Sequence, residues 1–173
     1  MGNYAFTTLL ATDDYLYGVL GLYASLLKVE SKWPFHLMVT NNISQETLDV
    51  LNDVGIEYTI FPFLEFTEDS LYKVTANKFH IYSLKDYDKV CFIDGDAVLN
   101  RNIDNIFDID APAFLTLNDN FLSGALFMVD PTEHDIEFFN QYIDCRGDDE
   151  GVWNHIYSFE TVQSLWHTGY FDS

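Results

Sequence analysis

Short apolar strands alternate with helices through the first half of the chain. The sequence predicts strands at Phe6–Leu10, Phe35–Val39, Ile56–Phe61 and Val90–Ile93. Helices are predicted between them, the first capped by Asp13 or Asp14, the second running from a Ser44 cap to Gly55, and the third covering Lys73–Leu84. Three such alternations are typical of parallel strands joined by right-handed crossovers. We therefore predict an α/β fold with a mainly parallel central sheet flanked by helices.

One domain is expected over residues 1–173. The chain is 48% hydrophobic, which supplies enough apolar surface for one core. No run approaches the roughly 20 apolar residues of a membrane span, and the first residues lack the basic flank of a signal peptide. We expect a cytoplasmic protein without a membrane span, in which Cys91 and Cys145 are free thiols.

Two carboxylates, Asp94 and Asp96, follow the buried strand Val90–Ile93, with Gly95 between them. In an open α/β sheet, ligand crevices form at the carboxyl ends of the strands. Carboxylate oxygens suit Mg²⁺ or Mn²⁺, and a metal that bridges to a diphosphate is the simplest use of the pair. The same triplet also forms ordinary turns, because Gly tolerates positive φ and Asp bonds its own backbone. The triplet alone leaves both interpretations open.

The chain is strongly acidic. Its formal net charge is −20, and it has only eight Lys and Arg residues. Nucleic acid is excluded as a partner, because basic residues that neutralise phosphates dominate that affinity. An anionic donor would also be repelled unless a divalent cation offset the charge locally, so the acidity favours a metal site.

Five segments carry a family resemblance. They are Ala5–Tyr15 with Gly18 and Ser25, Thr75–Leu84, Phe92–Leu99 followed by Asn102–Phe107, Ser123–Gly124, and Asp149–Asn154. Together they resemble the glycogenin-like branch of the family 8 glycosyltransferases, which have the nucleotide-diphosphosugar transferase (GT-A) fold. The resemblance implies a metal-dependent transfer of a hexose from a UDP-sugar, with UDP-glucose or UDP-galactose as the first candidates, to a hydroxyl acceptor on a glycan or protein, with retention.

The resemblance also implies roles for individual residues. The donor would be bound by Leu9, Ala11, Thr12, Tyr15, Lys78, Asp94, Gly95, Ser123 and Gly124. The Tyr15 ring would stack on uracil, and Lys78 would counter phosphate or hold the first Asp of the acidic pair. Asp94, Asp96 and His167 would ligate Mn²⁺ or Mg²⁺. Asp149 and Glu150 would act at the reacting sugar.

Three departures from the family pattern stand out. Leu122 occupies a position that is usually Asn, and Glu150 replaces a Gln, which brings a charge near the anomeric carbon. Relatives usually close the site with a later segment of His, two spacers, Gly, two spacers, Lys, Pro and Trp. Here Trp166–Gly169 offers a His and a Gly in another spacing, without the Lys or Pro.

Two alternatives remain open. The chain could be a catalytically weak nucleotide-sugar-binding module of a larger assembly, as the departure near His167 suggests. It could also be a haloacid-dehalogenase-like phosphatase, which carries an Asp-x-Asp after an apolar strand. Against the phosphatase, the downstream Lys that such enzymes need is missing, since no Lys follows Lys89.

Overall fold

A computed structural model describes residues 2–64, 74–117, 121–139, 149–157 and 163–164. The strands are β1 Tyr4–Thr7, β2 Leu9–Leu10, β3 His36–Thr40, β4 Glu57–Phe61, β5 Lys89–Ile93, β6 Ala113–Leu117, β7 Phe121–Val129 and β8 Gln163–Ser164. The helices are α1 Leu16–Lys28, α2 Gln45–Val54 and α3 Asp149–Ile156. Three segments are 3-10 helices, Asp13–Tyr15, Thr75–Ser83 and Asp104–Asp108, and residues 136–139 form a further helical turn.

The strands form two sheets that meet along β1 and β2. One sheet has the order β1-β5-β7-β6-β8 and the other the order β2-β3-β4. A parallel bridge between Phe6 and Phe35 joins them. Among the described strands β7 alone runs antiparallel to its neighbours β5 and β6, and all the other pairs are parallel. The predicted mainly parallel α/β architecture is thus confirmed.

Several predicted boundaries are confirmed and others are wrong. Ser44 caps α2 by accepting a hydrogen bond from the Thr47 amide, and Gly55 ends that helix in the left-handed conformation, with φ 79°. The predicted strand Phe6–Leu10 is instead divided at Thr8, because the chain changes partner from β5 to β3 there.

The predicted Asp cap of α1 is also wrong. Thr12 precedes the 3-10 turn that leads into α1, and no side chain caps either element. The Asp13 carboxylate turns away and accepts hydrogen bonds from the amide and the hydroxyl of Ser44, at 3.1 and 3.0 Å. Bonds from Thr47 and then Ser44 lower the pKa of Asp13. Within the predicted helix Lys73–Leu84, residues 75–83 form a 3-10 helix.

The strands β1, β5 and β7 of the larger sheet are buried along most of their length, which explains why they are mainly apolar. Along β5, Cys91 and Ile93 pack into the cluster that includes α1 and α2, whereas Val90 and Phe92 pack into an aromatic cluster with Trp153. This is the period of two expected for a strand. Cys91 is a free thiol whose pKa is raised by burial, while Cys145 lies outside the described residues. In the described part of the chain, no helix has the length and apolar character needed to cross a membrane.

Candidate functional site

A cleft opens where the parallel strands β1 and β5 end. It encloses about 170 Å³ and is lined by Thr8, Leu9, Ala11, Tyr15, Val74, Thr75, Lys78, Phe92, Asp94, Gly95 and Asp96. The residue that follows each of the two strands faces it, Thr8 after β1 and Asp94 after β5. This is the sheet edge at which α/β folds form ligand crevices. The cleft therefore brings together the predicted nucleotide-side residues and the acidic pair.

The acidic triplet is a turn whose carboxylates face this cleft. The amide of Asp94 donates to the Ala125 carbonyl at 2.9 Å, and the amide of Ala97 donates back to the Asp94 carbonyl at 3.0 Å. Gly95 does not adopt positive φ, so the turn does not require glycine for that reason. Asp96 is exposed, and its carboxylate makes no hydrogen bond or ion pair with the described residues. The turn and the ligand-site interpretations are therefore compatible.

Lys78 holds the first carboxylate of the pair. Its Nζ lies 3.1 Å from Oδ1 of Asp94 and donates to the Gly124 carbonyl at 3.0 Å. The ammonium also sits over the Phe92 ring, 5.1 Å from its centroid. Its side chain is only 12% exposed, so the cation is a buried partner of the site and not a solvated surface charge.

Two buried polar residues fix the 3-10 segment that carries Lys78. Asn77 accepts a hydrogen bond from the Leu64 amide at 2.8 Å. The His80 Nε2 lies 2.9 Å from the Pro62 carbonyl, and the ring stacks on Phe61. Burial lowers the pKa of His80, so the ring is neutral and Nε2 is the donor to that carbonyl. These contacts tie the segment to the chain that leaves β4.

Glu150 connects to Lys78 through a single residue of β7, Gly124. Its Oε1 accepts hydrogen bonds from the Gly124 amide at 2.9 Å and from the Ser123 hydroxyl at 3.4 Å. The carbonyl of the same Gly124 accepts from Lys78. Ser123 is buried, and neither Ser123 nor Gly124 lines the cleft. These residues form its supporting layer, and their predicted donor contacts stay predictions.

Leu122 points into the protein core. Its side chain is fully buried in the aromatic cluster. Its backbone pairs with the Asn154 side chain, which accepts from the Leu122 amide at 2.9 Å and donates to the Leu122 carbonyl at 3.0 Å. Asn154 thereby docks α3 onto β7, which places Glu150 beside Gly124.

The predicted base-binding side of the cleft is formed in part. Leu9, Ala11 and Tyr15 line it, whereas Thr12 does not. Tyr15 is 54% exposed, so its side chain is accessible to a ligand. The Asn42 amide donates to the Ala11 carbonyl at 3.0 Å and holds this segment against the chain after β3.

Sequence reasoning missed four residues that line the cleft: Thr8, Val74, Thr75 and Phe92. No sequence signal marked Thr8, because the predicted strand Phe6–Leu10 runs through it, whereas in the structure β1 ends at Thr7. The Thr8 hydroxyl is buried and has no hydrogen-bond partner in the portion of the chain that is described. Asp149 begins α3, one position before Glu150, and His167 lies outside the described residues.

The residues present suit a hard divalent cation. Asp94 and Asp96 offer carboxylate oxygens at one cleft, and Mg²⁺ is typically held by one or two carboxylates together with water and substrate phosphates. Within the described ranges no group of three or more His, Cys, Asp or Glu residues comes together. Asp96, which has no partner there, is the carboxylate that a cation would engage at least cost.

The comparisons of this sequence with a family model and with curated proteins agree on one family. The model of glycosyl transferase family 8 matches residues 6–117. Galactinol synthase 2 of Arabidopsis thaliana is 32% identical over 124 residues, covering 68% of this chain and 37% of its own length. Human glycogenin-1 is 30% identical over 176 residues, covering 91% of this chain and 49% of its own length. The chain thus spans less than half the length of these two curated relatives.

A solved structure has a similar fold. The galactosyltransferase LgtC, crystallised with donor and acceptor sugar analogues, superposes with a TM-score of 0.73. The match covers 92% of this chain and 72% of LgtC at 14% sequence identity. At that identity the similarity concerns the fold.

Proposed function

The chain belongs to glycosyl transferase family 8 and has the GT-A fold, and on that basis we propose that it transfers a hexose from a UDP-sugar to a hydroxyl acceptor with the help of a divalent metal. The observation that carries the proposal is the single cleft that contains Tyr15, Lys78, Asp94 and Asp96. An open aromatic ring suits a nucleobase, and adjacent carboxylates suit a cation bound to a diphosphate. Membership of this family also argues against the phosphatase alternative.

The charge balance supports a metal. A UDP-sugar brings a diphosphate to a chain with a net charge of −20. Lys78, which lines the cleft, is already engaged by Asp94 and by the Gly124 carbonyl. A cation held by Asp94 and Asp96, with His167 as a further ligand, would lower the cost of bringing the diphosphate to this edge.

The reaction would break the bond between the anomeric carbon and the diphosphate oxygen and form a bond from that carbon to the acceptor oxygen, whose proton is released. When bound, the cation would offset the charge that develops on the leaving diphosphate. Tyr15 would stack on uracil, with Leu9 and Ala11 beside it. Lys78 would keep Asp94 oriented, and Asp149 and Glu150 would position the sugar or the acceptor. Retention follows the family pattern.

The experiment is incubation with Mn²⁺ and a panel of uridine diphosphosugars, followed by detection of released UDP. UDP release that requires both metal and one sugar donor is the expected result. Donor binding without turnover would favour the binding-module alternative. Phosphate release from simple phosphoesters without any sugar donor would contradict the proposal.

Asp96→Ala tests the metal site directly. The Asp96 side chain is exposed and has no partner among the described residues, so the fold should be retained while Mn²⁺-dependent donor binding is lost. Asp53→Ala is the matched control, because it removes the same charge from an exposed position on α2. Equal donor affinity in the Asp96→Ala and Asp53→Ala proteins would refute the assignment.

A further inference from the structure

Helix α1 lies directly against the acidic turn. At Gly18 the helix backbone approaches the peptide of Gly95 so closely that a Cβ atom would lie 2.6 Å from the Gly95 carbonyl oxygen and 3.2 Å from its carbon. A real Cβ atom is not found below 3.0 Å from another heavy atom. The approach therefore depends on the absence of a side chain at residue 18.

A second contact follows seven residues later, on the same face of α1. The Leu99 amide donates to the Ser25 hydroxyl at 3.0 Å, and that hydroxyl donates to the Leu22 carbonyl at 2.7 Å. Ser25 is 5% exposed, so the bond is shielded from water. The segment that contains the acidic turn is thus held to α1 both at Gly95 and at Leu99.

The two carboxylates are fixed in different ways. Asp94 is held from the sheet, through its amide to Ala125 and its carboxylate to Lys78. Asp96 has no such side-chain contact within the described residues, and it lies between the two points, Gly95 and Leu99, at which α1 meets the segment. The position of the Asp96 backbone is therefore set by α1.

We infer that Gly18 and Ser25 are positioning residues of the acidic turn, and that α1 sets the affinity of this turn for a divalent cation. The inference rests on the proposed function, because it assumes that Asp94 and Asp96 hold the metal. Neither Gly18 nor Ser25 lines the cleft, so both would act only through the backbone that carries Asp96.

The size of the effect follows from the geometry. A methyl group at residue 18 would lie 2.6 Å from the Gly95 carbonyl oxygen, and an ordinary contact needs about 3.4 Å. The Gly95 peptide or the helix would therefore have to move by several tenths of an ångström. Metal-ligand distances tolerate only about 0.2 Å. Loss of residues that orient metal ligands typically weakens metal binding about 10- to 100-fold. We expect a loss in that range for Gly18→Ala.

The test is a Mn²⁺ titration at a fixed UDP concentration. Free Mn²⁺ is measured by electron paramagnetic resonance against a blank that contains UDP without protein. Gly21→Ala is the matched control, since it makes the same substitution three residues further along α1, where an added Cβ meets nothing within 4 Å. Gly18→Ala should bind Mn²⁺ about 10- to 100-fold more weakly, and Gly21→Ala should bind it as the wild type does. Wild-type affinity in Gly18→Ala would overturn the inference.

Circular dichroism of each variant distinguishes a protein that does not fold from a folded protein in which only the acidic turn is displaced. If Gly18→Ala does not fold, Ser25→Ala decides the matter. It removes the acceptor of the Leu99 amide, together with the donor to the Leu22 carbonyl inside α1, and should also weaken Mn²⁺ binding. Wild-type affinity in a folded Ser25→Ala protein would then overturn the inference. Wild-type protein that bound no Mn²⁺ would instead overturn the metal site of the proposed function, so the two failures are distinguishable.

Discussion

The Lys78–Asp94 ion pair should contribute measurably to the stability of the folded chain. At 3.1 Å the Coulomb attraction is about 5 kcal/mol for an effective dielectric constant of about 20. Desolvation of the largely buried Lys78 offsets most of it, and water screens Asp94, whose side chain is 36% exposed. We expect a net coupling of about 1–2 kcal/mol, which is within the range measured for residues in contact.

A double-mutant cycle measures this coupling. The four proteins are wild type, Lys78→Met, Asp94→Asn and the double variant, each unfolded in urea at neutral pH. Methionine keeps an unbranched side chain over the Phe92 ring, and asparagine keeps the shape of Asp94. The stability losses of the two single variants should add up to more than the loss of the double variant, because each single substitution leaves the other group without its charged partner.

The chain supplies its own control pair. Lys85 and Asp135 also form an ion pair, but their side chains are 43% and 72% exposed. The same cycle with Lys85→Met and Asp135→Asn should give a coupling of about 0.5 kcal/mol or less. If the Lys78–Asp94 coupling were no larger than this control, Lys78 would not be an internal partner of the acidic turn, and the explanation given for its burial would fail.

Two further predictions concern residues outside the acidic turn. Glu150→Gln should change the free energy of unfolding by no more than about 0.5 kcal/mol, because an amide oxygen can still accept from Gly124 and Ser123. Glu150→Ala should lower that free energy by about 1–3 kcal/mol, because the Gly124 amide is left without its acceptor. Equal losses for the two variants in urea unfolding would contradict this. Glu30→Gly should raise the free energy of unfolding by about 0.5–1 kcal/mol, because Glu30 ends α1 at φ 54°. Lys28→Gly, within the same helix, should lower it by about 1 kcal/mol, and a loss in both variants would show that the Glu30 backbone is not strained.

Most of the architecture follows from hydrophobic patterning, because strands buried on both faces leave continuous apolar runs between capped helices. Ser44 and Gly55 mark the ends of α2 as predicted. The division at Thr8 could not be seen, since a change of pairing partner leaves no mark in an apolar run. The direction of β7 had a signal in the short interval after β6, because residues 118–120 are too few for a parallel crossover.

The parts of the site that could be predicted from the sequence are those whose residues lie close together in the chain. Asp94 and Asp96 follow their strand, so their place at the cleft could be deduced from the pattern. The resemblance offered Lys78 either as a counter-charge to phosphate or as a partner of the first Asp, and the structure has its Nζ 3.1 Å from Oδ1 of Asp94. The relay from Glu150 through Gly124 to Lys78 was not foreseen, because it joins three elements that are distant in sequence.

Two glycines lie near the acidic pair, and the one that the packing requires is not the one in the motif. Gly95 is the conspicuous one, yet a Cβ there would make ordinary contacts of 3.5 Å with Thr8 and Val19. Gly18, 77 positions before Gly95 in the sequence, is the glycine that the packing requires. A local pattern shows which residues are adjacent in the chain, but the space available to a side chain is decided by the element packed against it.

The polar residues that follow the acidic pair in the sequence also contact the chain at the C-terminal end of α1. The Asn102 amide donates to the carbonyls of Val29 and Glu30, at 3.1 and 3.2 Å. Asp104 accepts from the Ser31 hydroxyl at 2.7 Å and from the Lys32 amide at 3.0 Å. The Asn102 bonds satisfy carbonyls at the C-terminal end of the helix, and the Asp104 bonds hold the chain that leaves it. The segment 94–104 therefore follows α1 from Gly18 to the end of the helix. None of the residues of α1, Leu16–Lys28, lines the cleft, yet the helix holds the segment that carries Asp96.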